Sequence, residues 1–353
     1  MLKASCFKHR LYFKRPSGTS RGVLNSKDSW FIQMWNSEKP EWIGIGECSL
    51  IEGLSPDALP EFELILHEIC NSIHDICESS SIRDLNLLRW PSIAFGLELA
   101  LMDLKNKGNK RFVDEFVGGK EIPINGLIWM GEKSYMKQQI DQKLESGFNC
   151  VKLKIGALDF DEELSLLSYI REEYSNDEIE IRVDANGAFS VVDALDKLKR
   201  LSDYGIHSIE QPIRAGQFEE MAELCAFSPI PIALDEELIG PFNAEMKRNL
   251  LERIKPQYII LKPSLHGGFS GANEWISIAE ELKVKWWATS ALESNIGLNA
   301  IAQWTCTYDN DLPQGLGTGH LFTNNIDSPL YVSNGKLGYS KSGVWDFTLF
   351  ETR

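Results

Sequence analysis

The chain has 353 residues, of which 43% are hydrophobic and 25% charged, and its formal net charge is −15. This composition is typical of a globular protein with a large core, and the acidic charge argues against partners such as nucleic acid or an anionic membrane surface. The seven cysteines form no C-x-x-C pair, and no apolar run reaches the roughly 18 residues of a membrane span. Together with the lack of a signal-peptide pattern, this predicts reduced thiols and a cytoplasmic location.

The N-terminal part predicts a small α+β domain. Strands are expected at residues 11–13, 29–35 and 42–47, and the polar segment 15–22 and the segment 48–56 read as loops. These loops are candidates for a lid over an active site, or they are plain hairpin connections. A helical pattern then runs from about residue 56 to residue 107. We assign residues 1–115 to an N-terminal capping domain.

A repeated strand–helix pattern follows, with helices between the strands. The strands are predicted at residues 122–130, 150–155, 179–184, 206–210, 230–235, 258–262, 284–289 and 313–319. Eight such units close a parallel barrel. The predicted fold is therefore α/β, a modified TIM (β/α) barrel over residues 116–320, with residues 321–353 returning to the cap.

Charged residues end four successive strands. Asp184, Glu210, Asp235 and Lys262 are 26, 25 and 27 residues apart, which is the length of one strand–helix unit. Carboxyl ends of parallel strands meet at one edge, where α/β enzymes place their active sites. Three carboxylates without His or Cys favour Mg²⁺ or Mn²⁺ over zinc.

Two lysines mark the second predicted strand. Lys152 and Lys154 are two residues apart and therefore point to the same side, whereas Val151 and Leu153 point into the helix layer. Two adjacent lysines facing the barrel interior should lower each other's pKa, which would suit a general base. The alternative is a pair of surface lysines. Lys262 is expected across the barrel from them.

The motifs at these positions resemble those of the enolase superfamily, in the muconate lactonizing enzyme subgroup. They are Val-Lys-Leu-Lys at 151–154, Asp-Ala-Asn at 184–186, Glu-Gln-Pro at 210–212, Asp-Glu at 235–236 and Leu-Lys-Pro at 261–263. Within the subgroup the chain is most similar to the o-succinylbenzoate synthase family. The pointers are Arg182, the Ser-Ala-Leu-Glu-Ser segment at 290–294 and the glycine-rich segment at 315–319.

The resemblance implies an activity and a set of roles. The implied reaction is Mg²⁺-dependent dehydration of 2-succinyl-6-hydroxy-2,4-cyclohexadiene-1-carboxylate to 2-succinylbenzoate, through a metal-stabilised enediolate. The implied catalytic residues are Lys154 as base and Lys262 as cation, and the implied Mg²⁺ ligands are Asp184, Glu210 and Asp235, with Mn²⁺ as a substitute. The implied substrate-binding residues are Lys152, Arg182, Ser290, Gly317 and Thr318. The implied supporting residues are Asn186, Glu236 and Glu293. Cap residues 18–21 and 51–54 are expected near the site.

Other activities stay open on the sequence. A dipeptide epimerase or an N-acylamino acid racemase would use the same lysines and metal ligands. The stretch 316–319 carries no acid for a substrate ammonium group, which argues against a cationic substrate. Muconate lactonization and a non-catalytic binding barrel are further readings, although all five expected catalytic and metal positions are present. His266 is interpreted as a loop residue, and the sequence does not distinguish a monomer from a homo-oligomer.

Overall fold

Three antiparallel strands build the N-terminal sheet in the computed structural model, which describes residues 1–19, 22–79 and 87–351. The strands are β1 (Leu2–Thr19), β2 (Gly22–Asn36) and β3 (Lys39–Ser49), in that order. Side chains of β2 alternate between two cores: Trp30 and Ile32 face the cap helices, and Phe31 joins the barrel core. The cap helices are α1 (Phe62–Asn71), α2 (Ile73–Ser79), α3 (Pro91–Lys105) and α4 (Asp114–Gly118).

The first hairpin is longer than the sequence predicted. Residues 15–22 read as a loop because they are polar, but β1 continues to Thr19 after a register shift and Ser17 pairs with Leu24. Residues 20 and 21 of the predicted lid segment lie outside the described residues. Cross-strand pairing, which a single polar segment does not reveal, decides the strand length here.

Seven parallel strands form the barrel wall, in the order β11 to β5. They are β5 (Gly126–Ile128), β6 (Cys150–Lys154), β7 (Glu180–Asp184), β8 (Ile206–Glu210), β9 (Ile232–Leu234), β10 (Tyr258–Leu261) and β11 (Lys285–Ala288). The helices between and after them are α5 (Lys133–Glu145), α6 (Phe160–Glu173), α7 (Val191–Ser202), α8 (Phe218–Phe227), α9 (Ala244–Ile254), α10 (Gly268–Glu281) and α11 (Asn295–Cys306).

The wall is closed by a very short eighth strand. Gln314 bridges in parallel to Ile124 and Gly315 bridges in parallel to Thr289, so the two edges of the sheet meet there. The predicted α/β barrel with an antiparallel capping sheet is thereby confirmed. The layer between the strands and the outer helices forms one large hydrophobic cluster, and Ala233, Tyr258, Ile260 and Trp287 form a separate small cluster.

The C-terminal residues contact both parts of the molecule. β12 (Leu330–Ser333) and β13 (Lys336–Tyr339) form a small sheet with β4 (Ile122–Pro123). The predicted strand 122–130 is therefore two strands in two sheets. Phe13 bridges to Phe322, and Gln33 Nε2 donates to the Phe350 carbonyl at 2.9 Å.

Two predictions about the whole chain can be compared with the described residues. The six cysteines whose side chains are described carry free thiols, as predicted. No helix in the described ranges has both the length and the apolar character needed to cross a bilayer.

Candidate active site

Strand register brings the predicted residues to one rim of the barrel. Lys154 is the partner of Asp184 across β6 and β7, and Asp184 is the partner of Glu210 across β7 and β8. Asp235 directly follows β9 and Lys262 directly follows β10. The strand-end prediction therefore places these five side chains correctly, because parallel strands of similar length end together.

Four of these residues, Lys154, Asp184, Glu210 and Lys262, line a cavity of about 710 Å³, a volume that includes its solvent-open mouth; Asp235 bonds Lys262 without lining it. Its polar lining comprises Asn125, Lys152, Lys154, Asp184, Asn186, Glu210, Lys262, Thr289, Ser290 and Thr318. Its apolar wall and backbone lining comprise Leu24, Ile51, Leu54, Leu127, Trp129, Ala291, Leu292, Gly315 and Gly317. Leu24, Ile51 and Leu54 come from the cap, so the expectation that residues 51–54 approach the site is confirmed for Ile51 and Leu54.

Lys152 bridges two of the carboxylates. Its Nζ donates to Asp184 Oδ2 at 2.9 Å and to Glu210 Oε2 at 2.5 Å, and all three side chains are buried. Burial alone would lower the pKa of Lys152, but attraction by Asp184 and Glu210 outweighs it and raises the pKa. The prediction that Lys154 lowers the pKa of Lys152 is therefore wrong, because Lys152 bonds two carboxylates directly and their attraction outweighs the repulsion.

Lys154 lies on the same wall in a different hydrogen-bond environment. Its Nζ donates to Asp184 Oδ2 at 2.9 Å and to Asn186 Oδ1 at 2.7 Å. Asn186, which has a left-handed backbone with φ 44°, donates from Nδ2 to Glu236 Oε1 at 3.2 Å. Asn186 thus connects Lys154 to Glu236. Burial opposes ionisation of Asp184, but Lys152 and Lys154 together lower its pKa.

Lys262 faces the cavity from the opposite wall and bonds Asp235. Burial would lower the pKa of Lys262, but Asp235 and Glu210 raise it. The same ammonium group lowers the pKa of Asp235 against the effect of burial. Burial and the nearby charge of Asp184 raise the pKa of Glu210 well above its usual value. Among the three carboxyl groups, Glu210 is therefore the one that ionises least readily without a further cation.

The donor set fits a divalent cation chemically. Among the described residues, no group of three or more His, Cys, Asp or Glu side chains is arranged as a ready-made metal cage. The carboxylates here bond lysines instead. Asp235 Oδ1 is nevertheless buried without a hydrogen-bond partner among the described residues. An oxygen-only donor set with an unpartnered carboxylate oxygen and a Glu210 of raised pKa is what a hard cation would neutralise.

Ser290 and Glu293 form a buried pair beside the cavity. Glu293 accepts from Ser290 Oγ at 2.6 Å and from Ser264 Oγ at 2.5 Å. Burial raises the pKa of Glu293, and the charge of Lys27 and then these hydroxyl donors oppose the rise. Glu293 contacts the residues around the cavity without lining it, whereas Ser290, Gly317 and Thr318 line it.

Arg182 is a correction to the sequence prediction. Its guanidinium donates to Glu180 Oε1 at 2.6 Å and to the Pro313 carbonyl at 2.7 Å, and it lies 4.3 Å from the Trp287 ring centroid. Arg182 is not among the described residues that line the cavity. Its position two residues before Asp184 puts it about 6.6 Å back along β7, away from the rim, so its substrate-binding role is not supported.

Several lining residues were missed. Trp129 directly follows β5 and lines the cavity at the same rim. Its position near the end of the predicted strand 122–130 could have indicated this. Asn125 and Thr289 carry buried oxygens without partners among the described residues, and no local pattern marks them. His266 accepts a hydrogen bond from the Lys262 backbone N–H at 3.2 Å and is a buried loop residue, as interpreted.

Comparison with known proteins identifies relatives along almost the whole chain. Residues 135–342 match the family described as Enolase C-terminal domain-like. An o-succinylbenzoate synthase from Desulfotalea psychrophila is 49% identical over 362 aligned positions, covering 94% of this chain and 97% of the relative. The crystal structure of MenC from the same organism matches with a TM-score of 0.83 at 45% identity, covering 96% of this chain and 99% of that one. A dipeptide epimerase from Cytophaga hutchinsonii, complexed with Mg and the dipeptide D-Ala-L-Val, shares the fold with a TM-score of 0.80 at 21% identity, covering 98% and 96% of the two chains.

Proposed function

Because the chain belongs to the enolase superfamily, in its muconate lactonizing enzyme-like group, we propose that it is an o-succinylbenzoate synthase. It would remove water from 2-succinyl-6-hydroxy-2,4-cyclohexadiene-1-carboxylate and release 2-succinylbenzoate for menaquinone biosynthesis. The observation that carries this proposal is the 49% identity to a relative of that name over 94% of the chain. The substrate is a small-molecule carboxylate, in keeping with a cavity that is lined by lysines and apolar side chains.

In this proposal Lys154 moves the proton. Neutral Nζ takes the α-proton next to the substrate carboxylate, and the protonated amine returns that proton to the hydroxyl group as it leaves as water. One C–H bond and one C–O bond break, the ring becomes aromatic, and Lys154 is neutral again. Lys262, on the opposite wall, places a positive charge beside the anion formed when the α-proton leaves. Its raised pKa supports a permanently charged role.

Members of this superfamily bind a divalent metal ion, and we propose Mg²⁺ at Asp184, Glu210 and Asp235, with Mn²⁺ as a substitute. The bound ion would neutralise the substrate carboxylate and offset the charge that it gains on loss of the proton. A cation held by Asp184 and Glu210 would compete with Lys152 for these carboxylates. We propose that Lys152 binds the substrate carboxylate.

The remaining roles are proposals supported by position. Ser290, Gly317 and Thr318 would contact the substrate from the wall made by β11 and the eighth strand. The supporting residues are proposed as Asn186 and Glu236, which orient Lys154, and Glu293, which orients Ser290. The division into residues 1–115, 116–320 and 321–353 stays a proposal.

The test is direct. Purified protein is incubated with Mg²⁺ and the cyclohexadiene carboxylate, and formation of the aromatic product is followed by ultraviolet absorbance. Turnover that depends on Lys154 and on the metal supports the proposal. Absence of turnover with active substrate and metal present would contradict it.

A second candidate function is racemisation or epimerisation, in which a proton is removed from and returned to one carbon, and one observation favours it. Lys154 and Lys262 face the cavity from opposite walls, which is the arrangement that a dipeptide epimerase or an N-acylamino acid racemase needs. The same assay run with dipeptides and N-succinylamino acids separates the two. We expect kcat/KM for the cyclohexadiene to exceed that for any of these substrates.

A further inference from the structure

Two residues of the capping sheet bond the barrel segment that follows β11. Lys27 on β2 donates from Nζ to the Leu292 carbonyl at 2.8 Å, and Ser49 on β3 donates from Oγ to the Ala291 carbonyl at 3.3 Å. Lys27 and Ser49 also bond each other, and both are buried. The cap therefore binds two consecutive carbonyls of one barrel loop.

Leu292 has a backbone conformation that requires support. Its φ is 59°, in the left-handed region that a residue with a branched side chain rarely adopts. Its N–H donates to Ser290 Oγ at 3.0 Å, and its carbonyl accepts from Lys27. Both backbone polar groups of Leu292 are thus fixed, the N–H from within the loop and the carbonyl from the cap.

The same loop forms one wall of the active-site cavity. Ser290, Ala291 and Leu292 all line it. Leu292 belongs to a hydrophobic cluster with Ile51 and Trp129, which line the cavity too. A change in the Leu292 backbone would therefore move atoms that face the substrate, although Lys27 itself is not among the described lining residues.

We propose that Lys27 is a positioning residue that acts through the Leu292 carbonyl. It fixes the cavity wall at residues 289–292 and so couples the docking of the cap to substrate binding. The assignment of the substrate, and only that part, rests on the proposed function. No contact of the described residues joins Lys27 to Lys154 or Lys262, so its removal should weaken binding more than proton transfer.

The experiment compares two buried cap lysines in the full chain. In Lys27→Met, we expect KM for the cyclohexadiene carboxylate to rise about tenfold, equivalent to about 1.4 kcal/mol. We expect kcat to change by less than about threefold. Hydrogen–deuterium exchange should become faster at the Leu292 amide. The matched control is Lys110→Met: Lys110 Nζ bonds Asp103 at 2.7 Å, away from the cavity, so KM and Leu292 exchange should stay as in the unsubstituted protein.

The outcomes separate the possibilities. Equal effects of the two lysine substitutions on KM and on Leu292 exchange would show general destabilisation and overturn the proposal. If Lys27→Met does not fold, Ser49→Ala removes only one hydroxyl from the same contact and should still speed exchange at Leu292; unchanged exchange there would overturn the proposal. If the unsubstituted protein fails to dehydrate the cyclohexadiene, the proposed function fails, while the exchange comparison still decides the role of Lys27.

Discussion

Lys152→Met tests the charge balance of the active site most directly. The substitution removes the ammonium group that contacts Asp184 Oδ2 at 2.9 Å and Glu210 Oε2 at 2.5 Å, all buried. Leaving one side of a buried ion pair without its partner costs about 3–5 kcal/mol. Proton uptake by Glu210, whose pKa burial and Asp184 already raise, limits this cost. Holding that proton in the folded variant, relative to an unfolded chain in which the carboxyl group has its ordinary pKa, costs about 3.7 kcal/mol at pH 7 and about 1 kcal/mol at pH 5.

We therefore expect Lys152→Met to lower the free energy of unfolding by about 3–4 kcal/mol at pH 7 and by about 1 kcal/mol at pH 5. The measurement is urea unfolding in the presence of a chelator, followed by circular dichroism. Saturating Mg²⁺ should reduce the loss at pH 7, since a cation then replaces the missing charge. Lys199→Met, which breaks an exposed pair with Asp196, is the control and should change little. Equal stability of Lys152→Met and the unsubstituted protein at pH 7, or a larger loss at pH 5 than at pH 7, would refute this reasoning.

Three further predictions concern catalysis, metal and pH. Lys154→Ala should lower turnover by about 10²–10⁴-fold, the contribution typical of a positioned base; retention of more than about a tenth of the activity, a loss of only ~1.4 kcal/mol, would contradict the assignment. Chelation should abolish activity and Mg²⁺ or Mn²⁺ should restore it, with Asp235→Asn requiring more metal; full activity in excess chelator would rule the metal role out. His266 should make the protein less stable in acid. Burial and Lys247 lower its pKa to about 3 in the folded protein, whereas in the unfolded chain it binds a proton below pH ~6.5, so acid favours the unfolded state. This group alone should thus lower the free energy of unfolding by about 1.4 kcal/mol per pH unit between pH 6.5 and 3. In urea unfolding, His266→Gln should remove this contribution to the pH dependence, and the control His67→Gln, at an exposed histidine, should not.

The sequence alone was sufficient to predict the barrel and the rim of the site. Apolar runs that end at Asp184, Glu210, Asp235 and Lys262, 25 to 27 residues apart, predict strand ends, and the ends of adjacent parallel strands lie together at one edge of the sheet. The period of two residues likewise predicted that Lys152 and Lys154 share a side. Strand ends and the side of a strand that a residue faces depend on neighbouring residues, so the sequence is sufficient to predict them.

Tertiary structure decided what depends on depth, charge and contacts between distant residues. Arg182 points to the same side of β7 as Asp184 but lies two residues further from the rim. The period of two predicted its direction, but it could not predict that its guanidinium would bond Glu180 and lie over Trp287 instead of reaching the cavity. The pKa of Lys152 rises because its closest charges are carboxylates of two other strands. The left-handed Leu292 bonds Lys27, which lies 265 residues away. Such effects depend on contacts between residues that are far apart in the sequence. These contacts form only when tertiary packing offsets the entropy lost in bringing the segments together.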